Sequence, residues 1–260
     1  MNGQGEFYIG LAERAPDGVR ARLRRTVVLL LTLSIALRVV LALAQRTIGV
    51  SVFEWGQVKS FSGLLQSQPY PHLLVPRPGV GAGLPSFSSY YLVKPFKFGL
   101  DAATASRLDG KSVNMKGTLI YRGGNQTMIE VIADSIQPAV VSEKNLALVP
   151  IASPVSLGQQ TLLGEIVDSK CHLGVMNPGA LIPHRACAIR CISGGIPPVL
   201  LVLQTNGPAL YFLLVSREGK AVNQQVLDLV AEPVTITGGV ERQGEVLILR
   251  ADPDSYRRAK

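Results

Sequence analysis

The hydrophobic pattern of the chain changes character twice. Residues 26–45 (TVVLLLTLSIALRVVLALAQ) are almost uniformly apolar with one arginine, and about twenty such residues match the thickness of a bilayer core. This predicts a transmembrane helix. Beyond it the pattern becomes one of short alternating runs, the signature of half-buried strands, divided by Gly, Pro and Asn. Residues 52–65 (VFEWGQVKSFSGLL) begin as a strand and His72–Val75 form another, followed by the loop RPGVGAGLP. Then come SYYLV as a strand, AATASRL as a short helix, SVNMKGTLIY as a strand, RGGNQ as a turn and TMIEVI as a strand.

The same order returns downstream. LYFLLV at 210–215 stands where SYYLV stood, QQVLDLV replaces the helix AATASRL, and VTITGGVER with EVLILRAD replaces VNMKGTLIY with TMIEVIAD. Leu108 and Val113 are spaced like Leu229 and Val234, Met115 like Ile236, and Gly117 like Gly238. Upstream, Gly63 corresponds to Gly164, and PHLLV at Pro71 resembles PVLLV at Pro198. The expected fold is therefore mainly β: a single N-terminal transmembrane helix followed by two tandem OB-like β-barrel units, each ordered strand, strand, strand, helix, strand, strand. The boundaries expected are a tail at 1–25, the helix at 26–45, a first OB-like domain at 46–138, a linker at 139–158 and a second OB-like domain at 159–260. The second copy carries an insertion, 168–195, that the first lacks.

Composition adds compartment. With 17% charged and 47% hydrophobic residues the chain is globular plus a membrane segment, and its net charge is +8. Arg14, Arg20, Arg22, Arg24 and Arg25 precede the helix and only Arg46 closely follows it, so the positive-inside rule places the N-terminus in the cytoplasm. The bulk then faces a periplasm, as a single-pass protein of a bacterial inner membrane. A cleaved signal peptide ending at Ala42-Leu43-Ala44 is the competing reading. No basic run interleaves with aromatics, which argues against nucleic acid as a partner. Arg38 costs about 2.5–3.5 kcal/mol within the apolar stretch unless it snorkels or meets a partner, so it is the expected contact to a neighbouring membrane subunit.

All three cysteines and two of the three histidines lie in the insertion, DSKCHLGVMNPGALIPHRACAIRCISGG. Pro183 suits the first turn of a helix and Gly194-Gly195 its stop, which puts His184, Cys187 and Cys191 on one helix face. Three arrangements stay open, one of them a redox-active or nucleophilic thiol with His172 or His184 as its base. In an oxidising compartment Cys171 pairs with Cys187 or Cys191 in a disulfide and leaves one thiol over. Alternatively Cys171, His184, Cys187 and Cys191 form a Cys3His set for one zinc or copper ion, with His172 and Met176 as additional ligands and Asp168 as an outer carboxylate orienting a histidine. No Ser-His-Asp pattern, phosphate-cradling loop or HExxH motif occurs, so an enzyme is not expected. His72 reads as an ordinary histidine.

The segment VDSKC…HRACAIRCISGGIPP resembles a motif of a family of exported bacterial proteins, in which Asp-x-x-Cys is followed by His-x-x-Cys-x-x-x-Cys-x-x-Gly-Gly on a small β domain. The resemblance implies an extracytoplasmic location and metal or disulfide chemistry. Together these readings give a membrane-anchored, periplasmic, non-catalytic accessory subunit of a membrane complex, with an electron-transfer complex as the expected kind, in contact with membrane protein subunits and the lipid bilayer. The alternative is a periplasmic zinc- or copper-binding protein.

Overall fold

The computed structural model describes residues 16–45, 51–77, 87–123, 126–139, 153–205 and 207–259. The loop at 78–86, the tail before Pro16, Gly124 and most of the expected linker (140–152) lie outside these. The chain divides into two compact units, residues 1–49 and 50–260.

The first unit contains α1 (Asp17–Gln45), a single uninterrupted helix. It starts at Asp17 rather than Thr26 because GVRARLRR is itself rich in good helix formers, and Pro16 directly precedes the first turn. Asp17 pairs with Arg20 at 2.9 Å there. Thr32 folds its hydroxyl back onto the Val28 and Leu29 carbonyls, which hides a polar group within the apolar run. By length and composition α1 can cross a membrane, as an anchor or as a signal sequence.

The second unit holds two five-stranded barrels of identical connectivity. In the first, β2 (Lys59–Gln66) pairs with β3 (His72–Pro76), β3 with β4 (Phe87–Val93), and β5 (Ser112–Arg122) with both β2 and β6 (Gln126–Val131). The parallel pair β4–β6 closes the barrel, and α2 (Ala102–Arg107) lies between β4 and β5 in sequence. In the second, β8 (Val155–Asp168), β9 (Pro198–Val202), β10 (Leu210–Val215), β11 (Pro233–Gln243) and β12 (Val246–Arg250) repeat the pattern, with β10–β12 as the parallel pair. This is the strand order of an OB-type barrel.

The repeat extends to single residues. Gly63 lies opposite Val113 just as Gly164 lies opposite Val234, and a Cβ at either glycine would strike a neighbouring carbonyl, Leu74 at 2.3 Å or Leu201 at 2.5 Å. Even the short closing strands correspond: β7 (Gln137–Pro138) pairs with Val113, and β13 (Arg257–Arg258) with Val234.

Two expectations need correction. Residues 52–65 are not one strand: β1 (Ser51–Phe53) adds onto β5, and a turn at Trp55-Gly56, where Gly56 has φ +78°, separates it from β2. QQVLDLV is not an α-helix but a turn ending in a single 3₁₀ turn, Leu227–Leu229. Here the Asn223 amide donates to the Ile192 and Ile196 carbonyls and pulls this loop onto the insertion.

Strand alternation explains where the insertion sits. On β4, Tyr90 and Leu92 turn into the first barrel with Leu65, Leu73, Val113 and Ile129, while Tyr91 and Val93 turn outward. That outer face, Val93 with Ile120 and Met128, is covered by Cys171, Leu173, Cys191 and Ile196. Thus the insertion of the second barrel is buried against the outside of the first. Tyr70 fastens the two further: its hydroxyl donates to the Leu214 carbonyl at 2.9 Å and accepts from Val222 N–H at 3.1 Å.

Candidate metal centre

The site begins where β8 ends. Asp168 is fully buried, and its two oxygens do different work: Oδ1 accepts from the Cys171 N–H at 2.8 Å, and Oδ2 meets His184 Nε2 at 2.9 Å. One carboxylate therefore fixes both the turn that carries the first cysteine and the start of the helix that carries the others. The turn, Cys171–Val175, is a single π turn. Its Gly174 lies so close to β1 that a Cβ would come within 2.5 Å of the Val52 carbonyl. A 3₁₀ turn at Ile182–His184 then leads into α3 (Arg185–Ser193), with Pro183 in the 3₁₀ turn and Gly194 at the helix end.

Three sulfurs converge. Cys171 Sγ lies 3.9 Å from Cys187 Sγ and 4.0 Å from Cys191 Sγ, and all three thiols are free. The disulfide expected from Cys171 is thus not formed with either partner. A disulfide needs sulfurs about 2.05 Å apart, and Cys171 is held almost equally far from both others by the turn on one side and α3 on the other. Four sulfurs placed tetrahedrally about 2.3 Å from a zinc ion would be about 3.8 Å apart. The observed spacing is close to that.

The buried Cys171/Cys187/Cys191 and Asp168/His184 cluster can hold a metal ion. Its donors fall into two triads that share Cys171: the three sulfurs, and Asp168–Cys171–His184, each with ligand atoms within 4.8 Å of one another. The anticipated Cys3His set is therefore spread across both. His172 belongs to neither triad, since its Nε2 bonds the Tyr211 hydroxyl at 2.8 Å, and Met176 has its side chain 41% exposed.

Charge at the cluster is supplied from the first barrel. Lys97, on the loop after β4, places Nζ 2.7 Å from Cys187 Sγ, and this contact raises the lysine's pKa. Cys171 donates toward Cys191, which pushes the Cys171 thiol up and the Cys191 thiol down; burial adds to the first shift, and the Lys97 charge favours the second. An asymmetric trio with one acidified thiol is suited to giving up protons to a cation.

Lys97 comes near because backbone meets backbone. The Gly99 N–H donates to the Gly194 carbonyl at 2.9 Å, a Cβ on Gly194 would lie 2.0 Å from the Lys97 carbonyl, and one on Gly99 would lie 2.3 Å from that of Gly195. The Gly-Gly pair after the helix is thus a docking surface as well as a stop. Lys170, although 1% exposed, joins the same loop: its ammonium meets Glu130 at 2.5 Å and the Lys94 and Phe96 carbonyls at 2.8 Å each. Phe96 is held at φ +64°.

Sequence reasoning missed Lys97, Lys170, Glu130 and Gly99. One signal was available for the last. Gly99 bridges Val93 where the second copy's Ala221 bridges Val215, so the copies differ by a methyl group at the point of contact.

His172 gives a test of burial. Removal from water, with the Arg122 charge second, lowers its pKa to about 4. An unfolded histidine takes its proton near pH 6.5, so stability is complete above that pH. It is lost as pH falls toward 4, by about 1.4 kcal/mol per unit. Thermal midpoints from pH 7.5 to 4.5 are expected to fall less steeply in His172→Gln. Part of the slope persists, because burial also lowers the pKa of His72. An unchanged slope would contradict this assignment.

Beside His172 the barrels form an apolar cleft of about 40 Å³ lined by Tyr91, Met128, Leu173, Tyr211 and Leu213, room for a few waters. Comparison of the chain with protein-family models and with curated proteins gives no match.

Proposed function

We propose that this is a membrane-anchored, extracytoplasmic protein that binds one zinc or copper(I) ion through Cys171, Cys187 and Cys191, with His184 or a small exogenous ligand completing the coordination. The observation that carries this reading is the separation of the sulfurs, 3.9 and 4.0 Å from Cys171, which suits thiolates around a shared ion and is too long for a disulfide. Asp168 would orient His184, and Lys97 would offset thiolate charge at Cys187. Thiolates are soft ligands, which favours zinc and copper(I) over magnesium or calcium. The duplicated barrels act as a rigid seat with no catalytic part.

Full-length protein in mild detergent is expected to bind one equivalent of Zn(II) or Cu(I), measured by elemental analysis after desalting under reducing conditions. The Cys187→Ser/Cys191→Ser double variant is expected to bind none. A metal-free wild type with three titratable thiols sinks the proposal.

A second reading is compatible with the first and draws on Arg38, a charge within the apolar helix α1. Its side chain calls for an acidic or carbonyl partner at membrane depth, as in an accessory subunit of a membrane complex. Isolation in mild detergent as a lone monomer would count against it.

A further inference from the structure

We propose that Lys97 and Cys187 form a covalent nitrogen–oxygen–sulfur cross-link when the protein is oxidised, and that this modification removes one sulfur from the metal triad. The second clause rests on the metal reading above; the cross-link itself does not.

Distance is the first argument. The 2.7 Å between Nζ and Sγ is shorter than an ordinary N–H···O contact of about 2.9 Å, although sulfur is the larger atom. A single oxygen bonded to both atoms fits such a gap. The second argument is restraint. Lys97 is fixed from both sides of its loop: Lys170 holds the Lys94 and Phe96 carbonyls, and Gly99 is bonded to Gly194. This lysine therefore differs from one that meets a thiol in passing.

Access is the third. Cys187 is the partly exposed member of the triad, whereas Cys171 and Cys191 are buried, so an oxidant reaches Cys187 first. Once oxidised, Cys187 has no sulfur at bonding range, the Cys171 sulfur being 3.9 Å away and carried on a separately anchored turn. The lysine nitrogen is closer.

With hydrogen peroxide as oxidant the chemistry balances. A first peroxide transfers one oxygen to the Cys187 sulfur, its O–O bond breaks and water leaves, giving the sulfenic acid. The Lys97 ammonium passes its proton to water, and a second peroxide then oxidises the amine to the hydroxylamine and leaves as water. The hydroxylamine oxygen attacks the sulfenic sulfur and expels its hydroxyl, which departs with the hydroxylamine proton as a third water. Two electrons come from nitrogen and two from sulfur, and the two peroxides accept all four. Net, the protein gains one oxygen and loses two hydrogens.

The test uses full-length, metal-free protein in detergent, treated with hydrogen peroxide and followed by intact mass and peptide mapping. The expected product is heavier by about 14 Da, carries the Lys97 and Cys187 peptides as one linked species, and returns to the starting mass with dithiothreitol. Lys97→Arg, which keeps the charge but lacks the primary amine, is expected to lose this species. The proposal is overturned if oxidation gives only a gain of about 16 or 32 Da on the Cys187 peptide, or a loss of about 2 Da, with the Lys97 peptide unmodified. Zn(II) binding is measured on the same samples. A cross-link in protein that binds neither zinc nor, in a parallel titration, copper(I) refutes the metal reading and keeps the cross-link. Zinc binding with no gain of 14 Da does the reverse. If both occur, cross-linked protein is expected to lose its zinc equivalent and regain it after reduction.

Discussion

Substituting Lys170 with methionine is expected to lower the thermal midpoint by about 10 °C. The side chain is 1% exposed, and its ammonium has three acceptors within hydrogen-bond reach: the Glu130 carboxylate at 2.5 Å and the Lys94 and Phe96 carbonyls at 2.8 Å. Methionine fills a similar volume, so packing is nearly conserved. What changes is that a poorly solvated carboxylate and two carbonyls lose the donor they share. Removing one partner of a buried ion pair costs about 3–5 kcal/mol, and for a unit of this size each kcal/mol moves the midpoint by about 2–4 °C. Glu130→Gln relieves part of that debt. The Lys170→Met/Glu130→Gln double variant is therefore expected to melt above the sum of the two single effects, since the residues touch and couple. Strict additivity in this cycle, or a Lys170→Met protein as stable as wild type, would refute the account.

Alanine at Gly194 is expected to cost about 3 kcal/mol or more, a drop of about 6–12 °C. The reason is space rather than backbone angle, for Gly194 has φ −80°, which alanine adopts freely. The added Cβ would stand 2.0 Å from the Lys97 carbonyl, which is backbone and has no rotamer with which to escape. Either α3 or the loop after β4 must shift, and both shifts move Lys97 away from Cys187. Cys191 should then react faster with a thiol reagent in the native state. Gly239→Ala serves as control, because nothing lies within 4 Å of its added Cβ; its stability is expected to stay within about 0.5 kcal/mol of wild type. Equal midpoints for the two variants would show that the contact is not tight in solution.

How much of this was legible in the sequence follows from how local each feature is. The barrels could be read because each strand announces itself by alternation and because the order was written twice; Val113 with Val234 and Gly63 with Gly164 do occupy equivalent register positions. The spacing of Cys187 and Cys191 was likewise readable, being set within about one turn of α3, whereas His184 falls in the 3₁₀ turn before that helix and sides with Asp168. The choice between bridged and free thiols was not, since it depends on a three-way distance fixed by the end of β8, a π turn and α3 together. Nor was the other wall of the site. Lys97, Gly99 and Glu130 precede the cysteines by tens of residues and meet them only because the outer face of the first barrel is apolar at Val93, Ile120 and Met128. In the second copy QQVLDLV shares the apolar spacing of a helix, but Asn223 finds acceptors on the insertion and the segment settles into a turn instead.

The contact between Gly99 and Gly194 also has a bearing on how the chain matures. Synthesis runs from the N-terminus, so every strand of the first barrel and the loop bearing Lys97 have been made before Cys171 emerges. Cys191 and Gly194 emerge soon after, and the loop that covers them is already available. A newly made chain therefore has only a brief interval in which its thiols can exchange with one another or with other chains. A variant that delays closure of the first barrel would lengthen that interval, and mispaired thiols would be its first visible defect, ahead of any loss of folded barrel.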